Sequence, residues 1–360
     1  MAKSDISQQQ VLSALAEVRD PALNRSLISE MLIRDISIKG KTINLTAVLI
    51  SPEHPYKSQI EADINAALTD LGKVKLSFVV EVPSDGRERG VGSEPIRTVI
   101  AIASGKGGVG KSTVAVNLAV SLAQAGVQVG ILDADIYGPN VPIMMGVSDN
   151  HIRPDESGRL EPVIAHGVKL ISIGFLVNRE QPIVWRGPML HSAIKQFIND
   201  VNWGSLDYLI VDLPPGTGDA QLSMAQLLSV TGGVIVTLPQ QVSLDDARRG
   251  LEMFRQLQIP ILGVVENMSY LEVPKVGKID IFGSGGGEKL ARETDVEYLG
   301  GLPLDPAVVV GGDEGIPIVV SQPKSAVAIA LRSIAADIAL KVSVEAFKQQ
   351  KRAIPITMIN

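Results

Sequence analysis

The chain of 360 residues contains no cysteine. That absence excludes disulfides, thiolate zinc sites, a cysteine nucleophile and self-supplied thiolate ligands for an iron–sulfur cluster. Aromatic residues make up only 4% of the chain, which disfavours base-stacking platforms. Positive charge is also in deficit: 33 Lys and Arg stand against 39 Asp and Glu, a formal net charge of −6. No nucleic-acid partner held by a basic surface is expected. No apolar run reaches the ~18–20 residues that span a bilayer, so no transmembrane segment is expected. The first ten residues hold no apolar signal core, and the chain reads as cytoplasmic. The four histidines, His54, His151, His166 and His191, show no i,i+3 or i,i+4 pairing and make no recognisable metal motif. With 45% apolar and 20% charged residues, the chain has material for a substantial core. Its length suits one large domain and a small one.

Against these absences, Gly105–Thr113 stands out. It satisfies the phosphate-loop pattern G-x-x-x-x-G-K-[ST], with Gly105, Gly110, Lys111 and Ser112 at the fixed positions. A triphosphate packs several negative charges together. Backbone N–H groups solvate them only where the chain wraps tightly, which glycine permits. The context fits: Thr98–Ala103 reads as a buried strand. Ser112–Ala125 has helical spacing at Val116, Leu118, Ala119 and Leu122, with Gly126 as its stop. The helix N-terminus then faces the phosphates. Gly105, Lys106, Gly107, Gly108, Val109, Gly110, Lys111, Ser112 and Thr113 are the expected nucleotide-binding residues. Lys111 would neutralise the β/γ-phosphates, and the Ser112 hydroxyl would ligate Mg²⁺. Lys106 is a second lysine, directly after the first glycine.

A Gly-, Pro- and charge-rich stretch at 83–97 reads as a linker. Residues 1–82 precede it as a small α+β domain. Its expected helices are near 7–18 and 57–71, and its strands near 32–38, 42–50 and 74–82. Residues 98–345 follow as a domain of alternating strands and helices, which argues for a parallel sheet covered on both faces. Its expected strands lie near 98–103, 128–132, 168–173, 207–212, 233–237, 261–265 and 298–301. Residues 346–360 form a tail.

Three further constellations sit at strand C-terminal ends, where such sheets bind ligands. Asp133 and Asp135 leave an apolar strand into a loop holding Gly138, Pro139 and Asn140; both carboxylates could face Mg²⁺ or the attacking water, and Asp135 is the expected catalytic one. Asp212 ends the apolar run from Tyr208, the form of a carboxylate that holds Mg²⁺ directly or through water. The following Pro214–Gly218 is a candidate γ-phosphate switch. Asn267 follows a third buried strand, and its amide suits the Watson–Crick edge of adenine.

Together these stretches resemble the Mrp/ApbC family of P-loop ATPases, implicated in carrying and assembling iron–sulfur clusters and related to MinD, ParA and the nitrogenase iron protein. Gly105–Thr113 matches the family's deviant phosphate loop. Asp133–Asn140, Val184–Met189, Asp212–Gln221, Glu266–Tyr270 and Asp280–Lys289 match more particular family stretches. Residues 7–82 resemble a small iron–sulfur-assembly domain. The resemblance implies an α/β P-loop NTPase with a mainly parallel sheet sandwiched by helices, hydrolysing ATP with Mg²⁺. It implies a homodimer in which Lys106 reaches the partner's nucleotide, so that Lys106, Lys111 and Asp135 carry catalysis. Iron–sulfur assembly or recipient proteins are the implied partners. A second reading, a positioning or partitioning switch of the MinD/ParA type, predicts a membrane-seeking C-terminal helix. Pro355 interrupts the apolar part of the tail and argues against one.

The chain departs from the family at its metal-carrying positions. Val273 and Val276 stand where relatives carry a C-x-x-C pair, and His54 stands where relatives of the small domain often have cysteine. Valine cannot ligate iron. A lone histidine between prolines reads as a turn or surface residue.

Overall fold

In a computed structural model, residues 6–87, 89, 95–136, 138–156, 158–175 and 187–352 are described. Val184, Trp185 and Arg186, Tyr137, part of the 83–97 stretch and the last eight residues lie outside them. The chain divides into two compact units, residues 1–83 and 84–360.

The first unit opens with α1 (Gln8–Ala14), started by a reciprocal cap: Ser7 accepts from the Gln10 amide while the Gln10 side chain accepts from the Ser7 amide. The helix stops short of the expected Val18, because the chain turns into two short paired strands, β1 (Arg19–Asp20) and β2 (Arg25–Ser26). Then come β3 (Ile33–Lys39), β4 (Thr42–Leu49), α2 (Lys57–Leu68) and β5 (Lys73–Val80). β4 is central, antiparallel to β3 and parallel to β5. Ile43, Leu45 and Ala47 alternate inward and are buried, as are Ile60, Ile64 and Leu68 of α2.

His54 lies in the turn between β4 and α2. It is not at the surface: its side chain is fully buried against that of Asp20. Burial alone would raise the Asp20 carboxyl. The facing His54 ring and the Leu23 and Ala22 amides offset this and hold the group below its ordinary value.

The second unit runs β6 (Ile96–Ala103), α3 (Lys111–Gln124), β7 (Val129–Asp133), α4 (Val141–Met144), β8 (Val163–Ala165) and β9 (Val168–Ser172). It continues with α5 (Gly187–Asn199), β10 (Leu206–Asp212), α6 (Asp219–Leu227), β11 (Gly232–Thr237), α7 (Gln241–Gln256) and β12 (Ile261–Glu266). A hairpin of β13 (Leu271–Val273) and β14 (Gly277–Ile279) follows, then α8 (Gly286–Glu293), β15 (Tyr298–Gly301), α9 (Pro306–Asp313), α10 (Ile318–Ser321) and α11 (Ala326–Arg352). The main sheet has the order β15-β12-β11-β6-β10-β7-β9-β8. Every pairing in it is parallel except the β8–β9 edge. Alternation decides which side chains face which layer. Val99, Ala101 and Ala103 of β6 join Phe197 of α5, Met224 of α6, Leu251 of α7 and Leu290 of α8 in one core. α3 and α11 pack together and both contact β6. The strand order steps outward in both directions from β6, so the strand ends around it form the crevice where ligands enter such sheets.

The stretch expected to be a linker is anchored where it is described. Asp85 and Arg89 are buried in the second unit. Arg89 donates to the Ser229 and Ile96 carbonyls, and Asp85 accepts from Thr231 Oγ1 at 2.6 Å. Arg87 reaches the Val230 carbonyl at 2.5 Å. A Gly/Pro-rich composition predicts a flexible tether, but the two guanidinium groups satisfy carbonyls just before β11, and Asp85 takes the Thr231 hydroxyl.

Candidate functional site

The phosphate loop connects β6 to α3, and its glycines have distinct physical reasons. Gly108 and Gly110 sit at φ +80° and +83°, backbone that favours glycine. A Cβ on Gly110 would also lie 2.1 Å from Asn267 Nδ2. Gly105 is glycine for space: a Cβ there would stand 2.1 Å from the Asp246 carbonyl carbon, so α7 is packed directly on the loop.

Sheet register gathers the charged groups. Asp212 is the partner of Asp133 across β10 and β7 and of Ile102 across β10 and β6. Three strands therefore end level beside the start of α3. Lys111 Nζ, almost wholly buried, donates to Asp212 Oδ1 at 2.6 Å and lies 3.5 Å from Asp135 Oδ2. Ser112 Oγ donates to Asp212 Oδ2 at 2.5 Å. Lys111, Ser112, Asp135 and Asp212 thus meet in one place. The hydroxyl and carboxylate are adjacent hard oxygen donors, the type Mg²⁺ takes.

Asp133 does not share that outward role. It is fully buried and accepts from Ser172 Oγ at 2.8 Å and from the Asp135 amide at 3.1 Å. Burial and the neighbouring Asp212 charge push its carboxyl up to about 8. Ser172 in turn accepts from the Gly174 amide at 2.9 Å. No sequence motif pointed to Ser172, because its partner is 39 positions away and the two meet only through the β7–β9 register.

Lys106 contributes its carbonyl to Ser104 Oγ at 2.9 Å. Among the described residues its ammonium group makes no hydrogen bond or ion pair. The Pro214–Gly218 segment lies on the loop, with the Gly216 amide donating to the Ser104 carbonyl at 3.1 Å.

Asn267 Nδ2 donates to the Val109 carbonyl at 2.8 Å. One donor of the amide is therefore committed to the loop itself. Asn267 also borders a cavity of about 290 Å³ beside Gly110 and Thr113, lined further by Leu302, Pro303 and Asp305. That volume is at the lower end of small-molecule sites, about 300–1,000 Å³. The segment from Leu302 into α9 carried no sequence signal; it reaches the loop because β15 is the sheet neighbour of β12.

Val273 and Val276 fall on the β13–β14 hairpin, with the Val276 amide donating to the Val273 carbonyl at 3.1 Å. Val276 is 70% exposed. Nothing in either side chain binds metal. Among the described residues no three His, Asp or Glu side chains gather as a metal-binding group. His166 bonds the Gly315 carbonyl at 2.9 Å. No helix among the described residues is long and apolar enough to cross a membrane.

Comparison with known proteins agrees with this architecture. Residues 95–339 match the family model described as NUBPL iron-transfer P-loop NTPase, and residues 8–82 match one described as iron-sulfur cluster assembly protein. The chain is 52% identical over 347 residues to an iron-sulfur cluster carrier protein of Synechocystis sp., covering 93% of this chain and 98% of that one. It is 46% identical to the iron-sulfur cluster carrier protein of Deinococcus radiodurans, covering 96% of this chain and 99% of the other. Among solved structures, a nucleotide-binding protein of Archaeoglobus fulgidus in complex with ADP is 40% identical. It has a TM-score of 0.55 and covers 61% of this chain and 87% of that one. MinD of Pyrococcus horikoshii complexed with Mg-ADP is 25% identical, with a TM-score of 0.51, covering 66% of this chain and 94% of that one. The positioning-switch reading rests on this distant likeness of fold.

Proposed function

This chain belongs to the iron–sulfur cluster carrier family of P-loop NTPases, and we propose that it is an ATP-hydrolysing assembly factor that works on clusters ligated by partner proteins. The observation that carries the reading is the convergence of Lys111, Ser112, Asp135 and Asp212 under a glycine loop at the sheet's ligand-binding edge. The loop amides and Lys111 would hold the phosphates. Lys111 is paired with Asp212 in the described state, so binding exchanges that carboxylate for phosphate oxygens. The base would enter the cavity bordered by Asn267 and Pro303.

Mg²⁺, held by Ser112 and Asp212, would neutralise charge developing on the phosphates. Asp135 would orient water. Lys106, whose ammonium group pairs with none of the described residues, would complete the site of a second copy. Such a contact strengthens only as charge develops in the transition state, and so raises the rate more than the affinity.

The donor set does not fit an iron–sulfur cluster. A chain without cysteine offers no thiolate, and the family's usual positions carry Val273 and Val276. The cluster is therefore cargo whose thiolates come from elsewhere, and ATP turnover would gate the partner's engagement. Anaerobic treatment with iron and sulfide tests this. The protein alone should gain no acid-labile sulfide, and a stoichiometric cluster on the isolated chain would overturn the reading. In parallel, Mg²⁺-dependent ATP turnover should be present in the native protein and absent in Lys111→Ala. A native chain without turnover, alone or with a cluster-holding partner, would remove the hydrolytic half.

A further inference from the structure

The small unit contains a second set of buried polar groups that the ATPase chemistry does not use. Asp20 and His54 face each other with both side chains fully buried, Oδ2 to Nε2 at 3.4 Å. Asp20 Oδ1 is fixed by the amides of Ala22 and Leu23 at 2.7 and 3.2 Å. Among the described residues Asp20 Oδ2 faces His54 Nε2, and neither His54 Nδ1 nor the hydroxyl of Ser51 has a hydrogen-bond partner. Ser51 is fully buried and stands three positions before His54 in the same turn. Two buried polar atoms without a partner, each costing about 1–3 kcal/mol, beside an ion pair held at 3.4 Å, call for an explanation.

Distance and donor type indicate what satisfies them. A charge-assisted hydrogen bond would draw nitrogen and oxygen to about 2.7–2.9 Å. Two ligands at about 2.0–2.1 Å from one tetrahedral ion stand about 3.3–3.4 Å apart, close to the observed separation. An imidazole nitrogen and a carboxylate suit a borderline divalent ion such as Zn²⁺, Co²⁺ or Fe²⁺, and lack the thiolates that Cu(I) or a cluster requires. The amides on Oδ1 keep Oδ2 directed at His54, as the outer hydrogen bonds of metal sites do.

We propose that the small unit binds a single divalent transition-metal ion through His54 Nε2 and Asp20 Oδ2. The site is independent of the phosphate loop and of ATP, and its ion carries no sulfide.

Co²⁺ is the probe, because its visible d–d bands report tetrahedral nitrogen and oxygen ligation. The full chain is stripped with chelator and titrated without nucleotide. The native protein should bind one equivalent more than His54→Gln or Asp20→Asn, or bind it at least tenfold more tightly, and Zn²⁺ should bleach the bands. Because either variant could fail to fold, His54→Cys serves as the second arm. A ligand at that position would restore binding and add a thiolate-to-Co²⁺ charge-transfer band in the near ultraviolet. Co²⁺ binding identical in native protein and all variants, with no charge-transfer band from His54→Cys, overturns the proposal and leaves a plain buried His–Asp pair. ATP turnover measured on the same samples reports separately on the phosphate-loop reading.

Discussion

Replacing Lys111 should damage the folded state itself, not only nucleotide binding. Its ammonium group is the cation that the structure places against Asp212 and Asp135, at 2.6 and 3.5 Å. Lys111→Met keeps most of the apolar stem and removes the charge. Two carboxyl groups would then share a buried site without that cation. Removing one member of a buried pair costs about 3–5 kcal/mol. Two features favour the lower end. Ser112 still donates to Asp212, and Asp133, pushed up to about 8, is mostly protonated at pH 7 and adds little repulsion. A loss of about 3 kcal/mol corresponds to about 6–12 °C in the midpoint of a domain this size.

Scanning calorimetry of nucleotide- and metal-free protein at pH 7 reads this directly. The double variant Lys111→Met/Asp212→Asn should be less destabilised than the sum of the two singles, by about 0.5–3 kcal/mol, the coupling typical of contacting residues. A phosphate-binding lysine free in solvent would change stability by less than about 0.5 kcal/mol. A midpoint for Lys111→Met within about 2 °C of native would refute the reasoning.

Three further outcomes follow from the same geometry. Lys106→Ala should retain nucleotide binding, measured with a fluorescent analogue, while losing about 10³-fold in turnover, the lower range for a cation supplied in trans; full hydrolysis would remove the shared site. Gly110→Ala should cost about 1–3 kcal/mol from backbone strain and weaken nucleotide binding, since its Cβ would strike Asn267; urea midpoints equal to native would contradict the loop geometry. Asp133 gives a pH signature. Its carboxyl is raised from 3.8 to about 8 in the fold, so it is neutral in both states at low pH and ionises first in the unfolded chain. Its effect on folding therefore becomes steadily less favourable as pH rises from about 4 to 8 and then levels. Urea midpoints of Asp133→Asn should fall less steeply than native over pH 5–8, and parallel slopes would count against it.

Much of the site was legible along the chain. Glycines at fixed spacing, a lysine and hydroxyl at a helix start, and apolar strands ending in Asp133, Asp212 and Asn267 are local patterns. The parallel strands appeared close to where their apolar runs placed them, because each run is long enough to need burial on both faces. The deviations arose where a remote partner overrode local composition. The 83–97 stretch looks like a tether, yet the Ser229 carbonyl claims Arg89 and the Thr231 hydroxyl claims Asp85. His54, flanked by prolines, looks exposed, yet Asp20 holds it inside.

By itself, the sequence determined which chemistry the chain carries: a phosphate loop fed by a strand, acidic strand ends, and no thiolate for any metal. Only the tertiary structure decided how those groups are shared. The β7–β10–β6 register sets Asp212 beside Asp133 and within reach of Lys111 and Ser112, roughly a hundred positions earlier. It turns Asp133 into a buried support and leaves Asp135 facing the lysine. The same holds in the small unit, where Asp20 and His54 form a pair only because folding brings β1 and the turn after β4 together. Local pattern fixes what a residue can do; packing fixes which partner it meets, because that depends on chain segments no local window contains.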